Sequence, residues 1–334
     1  MTSNWSVIKR ELFDLLLEFR SQDKVLIADI AKMYRQVRVQ EEDTWLQCIL
    51  WRYSNDEQIK AYRLTTVTYG EAASSFFACR ALHQAGEEVR TSNPIVADAI
   101  QQCFYVDNLM VGSATVEELC VLKEGITQAL NNHGFPLRKW VTNDPRVLQN
   151  TPQNDLEKFI RIGDNEIIKT LGVAWSPGSD SLTFIVDENN SRARRTMTKR
   201  QLASEILRLY DPLGLVQPVI ILAKILLQQV ARIAWDDKIH DHTLESWNRV
   251  QLHLPKLRGV EFTRKAIPSI TKTIEMHGFC DASIKAYGCA IYMVATDSNG
   301  KVSSHLLCAK STIKKNNATA SGIDGSTSSG RTKL

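Results

Sequence analysis

Two short apolar segments of the sequence each end in an aspartate, and this pattern constrains the fold more than any other feature. Residues 25–29 end in Asp29, and residues 104–107 end in Asp107. Each segment predicts a buried β-strand with a carboxylate at its end. If the strands are neighbours, the carboxylates can hold two Mg²⁺ ions, hard cations that prefer oxygen ligands. Such a pair of ions serves phosphoryl transfer.

Each aspartate also has a simpler interpretation. Asp107 and Asn108 form a dipeptide that is common in hairpin turns. An aspartate at the end of a strand is an ordinary turn residue. The choice between a metal ligand and an ordinary turn residue therefore depends on the order of the sequence segments around the two aspartates.

Composition allows more than one domain and an intracellular setting. The chain has 334 residues, is 43% hydrophobic and carries a net charge of +4, which permits nucleic-acid binding without requiring it. Its 7 cysteines form no C-x-x-C pair, which argues against zinc or a disulfide scaffold and predicts buried thiols in a reducing compartment. The longest apolar stretch, 218–227, is short and contains Lys224, and no secretory signal is visible, so we predict a cytoplasmic protein without a membrane span.

Hydrophobic spacing predicts helices over residues 7–19, 71–89, 116–133 and about 218–235. Strand patterns occupy residues 45–53 and a hairpin at 103–112, and β character returns from residue 274. Residues 312–334 lack aromatics and are rich in Ser, Gly, Thr and Lys, which predicts disorder.

Five segments in order resemble the motifs of reverse transcriptases. They are residues 29–37, 68–78, 104–109, 134–140 and 169–175. The residues within these motifs are similar to those of the BEL/Pao class of LTR retroelements, and the resemblance runs from about residue 10 to residue 310.

The resemblance implies an RNA-directed DNA polymerase that uses two Mg²⁺ ions, an RNA/DNA primer–template and deoxynucleotides. It implies that Asp29 and Asp107 ligate metal, with Asn108 where the family usually has a second aspartate. It further implies that Tyr34 excludes a ribose 2′-hydroxyl, that Tyr69 and Gly70 lie under the template and nucleotide, and that Lys139 lies near the phosphates.

Departures from the pattern predict a weakened or inactive polymerase. Asn108 offers an amide oxygen but no negative charge, so metal affinity and rate should fall. The chain begins just before the first motif, so we expect most of the fingers region to be missing.

Residues 204–215, with Pro218 and residues 235–237, are typical of the Pao segment that follows the polymerase, a region traditionally labelled an aspartic peptidase. Such a site needs paired Asp-Thr/Ser-Gly loops, and the loop that begins at Asp211 lacks the hydroxyl residue. We therefore favour a helical thumb and connection over a peptidase. The basic cluster from Arg192 to Arg200 is either a solvated face or a phosphate contact.

Residues 277–290 resemble the first hairpin of a ribonuclease H domain, in which Asp281 would be the first metal ligand. No carboxylate-bearing helix follows Lys310, so we expect a truncated domain that ends in a frameshift or a premature stop.

The predicted fold class is α+β: a palm of antiparallel strands and helices, a helical thumb and connection, and a truncated ribonuclease H-like β remnant. The predicted domains are 1–175, 176–270 and 271–310, with a tail at 311–334. The alternatives to a polymerase fragment are a nucleic-acid-binding relic without chemistry and a Pao-type aspartic peptidase.

Overall fold

The computed structural model of the chain describes residues 10–162, 165–186, 194–269 and 271–314. It divides the chain into two compact units, Met1–Lys158 and Phe159–Leu334. No helix among the described residues is long and apolar enough to cross a membrane.

The described residues of the first unit form five α-helices and six strands. Its helices are α1 (Leu12–Phe19), α2 (Met33–Gln36), α3 (Ser74–Val89), α4 (Pro94–Gln102) and α5 (Val116–Asn132). Its strands are β1 (Lys24–Ile30), β2 (Cys48–Trp51), β3 (Lys60–Arg63), β4 (Phe104–Tyr105), β5 (Asn108–Ser113) and β6 (Leu137–Thr142). One antiparallel sheet has the order β4-β5-β1-β6, and β2 and β3 form a separate hairpin.

Strand β1 lies at the centre of the first unit. Residues 25–28 are all buried, so both faces of the strand are covered, which explains the unbroken apolar run in the sequence. Side chains of β1 share one core with those of α3, α4 and α5. The close packing of this core therefore fixes the position of the end of β1 and of Asp29.

Local signals set several helix ends. The Asn93 side chain accepts a hydrogen bond from Val96 N at 3.2 Å, and Pro94 occupies the first position of α4. Thr115 caps α5 in the same way. Gly134, with φ +76°, follows the end of α5 in a left-handed conformation that glycine adopts without strain.

In the described parts of the second unit there are eight strands and three α-helices. The strands are β7 (Ile160–Ile162), β8 (Asn165–Thr170), β9 (Val173–Ser176), β10 (Ser181–Thr183), β11 (Phe262–Thr263), β12 (Thr273–Ala282), β13 (Ala286–Thr296) and β14 (Val302–Ile313). The helices are α6 (Lys199–Leu207), α7 (Gln217–Gln229) and α8 (Asp241–His253). One sheet has the order β11-β10-β9-β8-β7, and another has the order β12-β13-β14.

Polar contacts join α7 to β14. Gln217 Oε1 accepts hydrogen bonds from Ser311 N at 3.2 Å and from Ser311 Oγ at 2.6 Å. Lys224 Nζ donates to Ser311 O at 3.1 Å. The helical part of this unit and the three-stranded sheet therefore pack together.

Several predicted boundaries shift. The helix predicted from residue 71 begins at Ser74, and the one predicted to reach about residue 235 ends at Gln229. The sequence predicts neither α4 nor α8. Strand β14 continues to Ile313, three residues into the predicted tail, and residues 315–334 lie outside the described residues, as does Arg192 of the basic cluster.

The prediction that the cysteine thiols are buried is wrong for three of the seven cysteines. Cys48, Cys280 and Cys289 are exposed. Cys48 and Cys280 lie on β2 and β12, which have no buried residue, and Cys289 lies on the part of β13 that precedes its first buried residue.

Candidate active site

The register of the central sheet places Asp29 opposite Asn108. These two residues are direct partners where β1 pairs with β5. On its other side Asp29 is the partner of Arg138 of β6. A residue near the end of a central strand thus faces side chains from both neighbouring strands.

Asp107 lies in the two-residue turn between β4 and β5. Its backbone oxygen accepts a hydrogen bond from Ile30 N at 2.8 Å, which ties the turn to the end of β1. The preceding residue, Val106, has φ +59°, a left-handed conformation that is rare for a β-branched residue. Positive φ at the first turn position is what a II′ hairpin requires. The structure therefore holds the Asp107 turn in a strained conformation beside Asp29.

Two effects oppose the negative charge of Asp29. Burial raises the pKa of the Asp29 carboxyl, and the charge of Asp107 raises it further. The Lys139 ammonium lowers this pKa in part, with Nζ 3.6 Å from Asp29 Oδ2. Two neighbouring carboxylates at one end of a sheet, where burial and the charge of Asp107 disfavour the charge of Asp29, form an arrangement suited to binding a cation.

A β-bulge directs Lys139 toward Asp29. Ile27 pairs with Val141 and Asp29 pairs with Arg138, so β6 carries one extra residue across this interval. Lys139 lies within the bulge at φ +57°. Bulges of this kind change the direction of a side chain next to a site. Arg138 contacts Asp155 Oδ1 at 2.9 Å, whereas Lys139 contacts Asp29.

Asn108 contacts Asp107 through its amide nitrogen. Asn108 Nδ2 donates to Asp107 Oδ1 at 3.0 Å. The amide thus occupies one lone pair of the neighbouring carboxylate. An aspartate at this position could not donate this bond and would add a third negative charge.

Tyr34 and Tyr69 lie together. Their ring centroids are 4.7 Å apart and the rings are tilted by 43°. Tyr69 is 63% exposed, and Gly70 beside it has φ +96° with nothing within 4 Å of a Cβ built there. The structure thus pairs two residues that lie far apart in the sequence and that the resemblance assigns to the nucleotide site.

The carboxylates fit a metal whose remaining ligands come from a substrate. No group of three or more His, Cys, Asp or Glu side chains within the described ranges could hold a metal ion. Mg²⁺ in phosphoryl-transfer sites is commonly bound by one or two carboxylates together with substrate phosphates and water. The pair formed by Asp29 and Asp107 meets that requirement.

Glu157 is a site neighbour that the sequence did not indicate. Its backbone N–H donates to Trp140 O at 3.2 Å, and its charge raises the pKa of Asp29 slightly. Only the folded chain brings residue 157 next to β6, and no motif surrounds it in the sequence.

The other predicted site residues lie in the second unit. Asp281 is exposed on β12, where its Oδ1 accepts a hydrogen bond from Ala282 N at 2.8 Å. Asp211 accepts hydrogen bonds from Leu215 N and Val216 N, each at 2.9 Å, and from Gln217 Nε2 at 3.2 Å. These bonds give Asp211 a structural role at the start of α7.

Residues 198–323 match the family described as the Pao retrotransposon-like RNaseH-like domain. No curated protein matches the chain. Among solved structures, the chain is similar to the foamy viral protease-reverse transcriptase in complex with RNA/DNA hybrid, with 12% sequence identity and a TM-score of 0.54. The similarity covers 92% of this chain and 36% of the foamy viral chain.

At this identity the likeness shows the fold alone: the chain has a mixed α/β fold with antiparallel sheets, similar to that of part of the foamy viral chain. Together with the family match, it supports a region of a Pao-type retroelement polyprotein. The matched segment spans residue 270, the predicted boundary between connection and ribonuclease H-like start, and includes both α7 and β14.

Proposed function

We propose that the chain is a fragment of an RNA-directed DNA polymerase with weakened two-metal nucleotidyl transfer. The supporting observation is the strand register, which puts Asp29 opposite Asn108 with the Asp107 turn bonded to the end of β1. On this proposal residues 1–175 contain the palm, residues 176–270 form the thumb and connection, and residues 271–310, which include Asp281, are a ribonuclease H-like start. Such a protein would act in a cytoplasmic retroelement particle.

In the proposed reaction, a primer 3′-hydroxyl attacks the α-phosphate of a deoxynucleotide and pyrophosphate leaves. Asp29 and Asp107 would hold Mg²⁺, which would supply charge neutralisation at the phosphates. Lys139 has an exposed ammonium beside Asp29, where it can contact a phosphate oxygen. Tyr34 would restrict the sugar, while Tyr69 and Gly70 would support the template and nucleotide. Positioning and charge neutralisation would provide most of the rate.

The proposed weakness arises at Asn108. Its amide brings no charge to the metal site and donates a hydrogen bond to Asp107. Both effects reduce the negative charge available to a divalent cation.

Primer extension on an RNA template with Mg²⁺ or Mn²⁺ tests the proposal. We expect Asn108→Asp to raise incorporation and Asp107→Ala to abolish it. The exposed Asn131→Asp on α5 serves as the matched control and should leave incorporation unchanged. Incorporation that survives Asp107→Ala would contradict the assignment of the site.

A second candidate function is nucleic-acid binding without chemistry, which the uncharged Asn108 favours. Its signature is salt-dependent binding to a primer–template with no incorporation by the chain or by Asn108→Asp. The structural neighbour was solved with an RNA/DNA hybrid, and both candidates share that class of partner. The contacts of Asp211 do not favour a peptidase.

A further inference from the structure

Two cysteines face each other across the β12–β13 hairpin. Cys280 and Cys289 are direct partners in the antiparallel register, and both are exposed. Directly opposite residues carry their side chains on the same face of a sheet. The two thiols are therefore neighbours on an accessible surface.

The hydrogen-bond pattern of the hairpin defines how close they are. Ser283 N donates to Ala286 O at 2.8 Å, which marks that pair as hydrogen-bonded. Hydrogen-bonded and non-hydrogen-bonded pairs alternate along an antiparallel ladder. The pairs that follow are Ala282 with Tyr287, Asp281 with Gly288, and Cys280 with Cys289.

The cysteine pair therefore occupies a non-hydrogen-bonded position. Opposite Cα atoms at such positions are about 4.5 Å apart. Disulfides span Cα separations of roughly 4.4–6.8 Å. The backbone thus already provides the spacing that a cross-strand disulfide needs.

We propose that Cys280 and Cys289 form a redox-modification site that a small disulfide oxidant, such as oxidised glutathione, converts reversibly to a cross-strand disulfide. One cysteine thiolate attacks the oxidant, forms a mixed disulfide and releases one thiolate of the reagent. The second cysteine thiolate then attacks the protein sulfur of the mixed disulfide and releases the other. The cysteines lose two electrons and two protons in total, and the oxidant becomes two thiols.

The surroundings suit this chemistry. The exposed Lys310 of β14 lies directly opposite Cys289, so a cation flanks the pair and attracts an anionic reagent such as glutathione. Strand β12 is at the edge of its sheet and pairs only with β13 among the described strands. A disulfide would fasten this edge strand to its neighbour, next to Asp281.

Oxidation of the full chain by oxidised glutathione, followed by tryptic digestion and mass spectrometry, tests the site. Lys285 lies between the two cysteines, so trypsin places them in separate peptides that only a disulfide can join. We expect one cross-linked pair of peptides that reductant separates. Cys280→Ser and Cys289→Ser should each retain glutathione on the remaining cysteine.

Cys48 provides an internal control, because it is exposed and its cross-strand partner is Arg63. It should carry only glutathione. The proposal is overturned if Cys280 and Cys289 of the unmodified sequence each retain glutathione, remain free, or link to Cys48. This test is independent of polymerase activity, so it stands apart from the proposed function.

Discussion

Asp29 carries a charge that its surroundings disfavour. Burial and the Asp107 carboxylate both raise its pKa, and the Lys139 ammonium offsets them only in part. A carboxyl with a raised folded-state pKa stabilises the fold below its unfolded-state pKa, and this contribution is lost as the pH rises through the folded-state pKa. At neutral pH the charged Asp29 therefore reduces stability, as functional residues often do.

We predict that Asp29→Asn stabilises the chain at pH 7 in the absence of divalent cations. The unfolding midpoint should rise by about 2–4 °C, the shift expected for roughly 1 kcal/mol in a domain of this size. The advantage should vanish below the ordinary Asp pKa of 3.8, where wild-type Asp29 is also neutral. Thermal unfolding of the wild type and of Asp29→Asn, in chelator at both pH values, measures the stability difference. A lower midpoint for Asp29→Asn at pH 7 would contradict the prediction.

Asp144 gives the matched control with the opposite sign. Hydrogen bonds from Arg146 and Lys24 lower the pKa of its carboxyl. This contribution to stability is present above the unfolded-state pKa and is lost as the pH falls through the folded-state pKa. Asp144→Asn should therefore lower the midpoint at pH 7, with a smaller effect in acid.

At the bulge in β6 we expect a glycine variant to be more stable than an alanine variant, the reverse of the usual order. A non-glycine residue in the left-handed region costs roughly 1–2 kcal/mol, and Lys139 has φ +57°. We predict that Lys139→Gly is more stable than Lys139→Ala by about 1 kcal/mol, since both remove the ammonium and only glycine relieves the strain. Denaturant unfolding of the two variants measures the difference.

Arg138 supplies the comparison within the same strand, because its φ is not positive. There the ordinary order should hold, with Arg138→Ala more stable than Arg138→Gly by about 0.5–1 kcal/mol. If the alanine variant is the more stable one at both positions, residue 139 does not have the left-handed conformation described.

The loop before α7 approaches β14 closely. Ala309 N donates to Leu213 O at 2.9 Å, and a Cβ on Gly214 would lie 1.6 Å from Ala309 O. We predict that Gly214→Ala destabilises the second unit by more than about 3 kcal/mol, because backbone must move and φ is +74°.

Gly300 is the control for that substitution. Its φ is +79°, but nothing lies within 4 Å of a Cβ built there. Gly300→Ala should cost only the conformational strain, about 1 kcal/mol. Equal effects at the two glycines, measured by thermal unfolding, would rule out the close approach of β14.

At the scale of the whole molecule, the two units have separate cores. One core extends from Leu26 to residue 156, and another from Val186 to residue 257. We predict that Asp29→Asn and Gly214→Ala add in the double variant within about 0.3–0.5 kcal/mol, as independent sites do. A larger coupling energy in the double-mutant cycle would contradict this.

The sequence predicted much of the first unit because its signals are local. The apolar run before Asp29, the turn at Asp107 and the glycine after α5 each act through a few neighbouring residues. Helix α4 was missed, although Asn93 and Pro94 mark its start. Helix α8 was missed because two of its four buried residues, Thr243 and Gln251, are polar and interrupt the apolar pattern.

By itself, the sequence determined which segments form strands that end in carboxylates, and it indicated the family that the comparisons support. Only the tertiary structure decided that Asp29 lies opposite Asn108 and that a bulge brings Lys139 to Asp29. It also decided that Glu157 lies next to β6 and that Cys280 lies opposite Cys289. Local patterns fix backbone conformation over a few residues. Register and long-range contacts depend on how whole strands pack, so they can be assigned only once the sheet has formed.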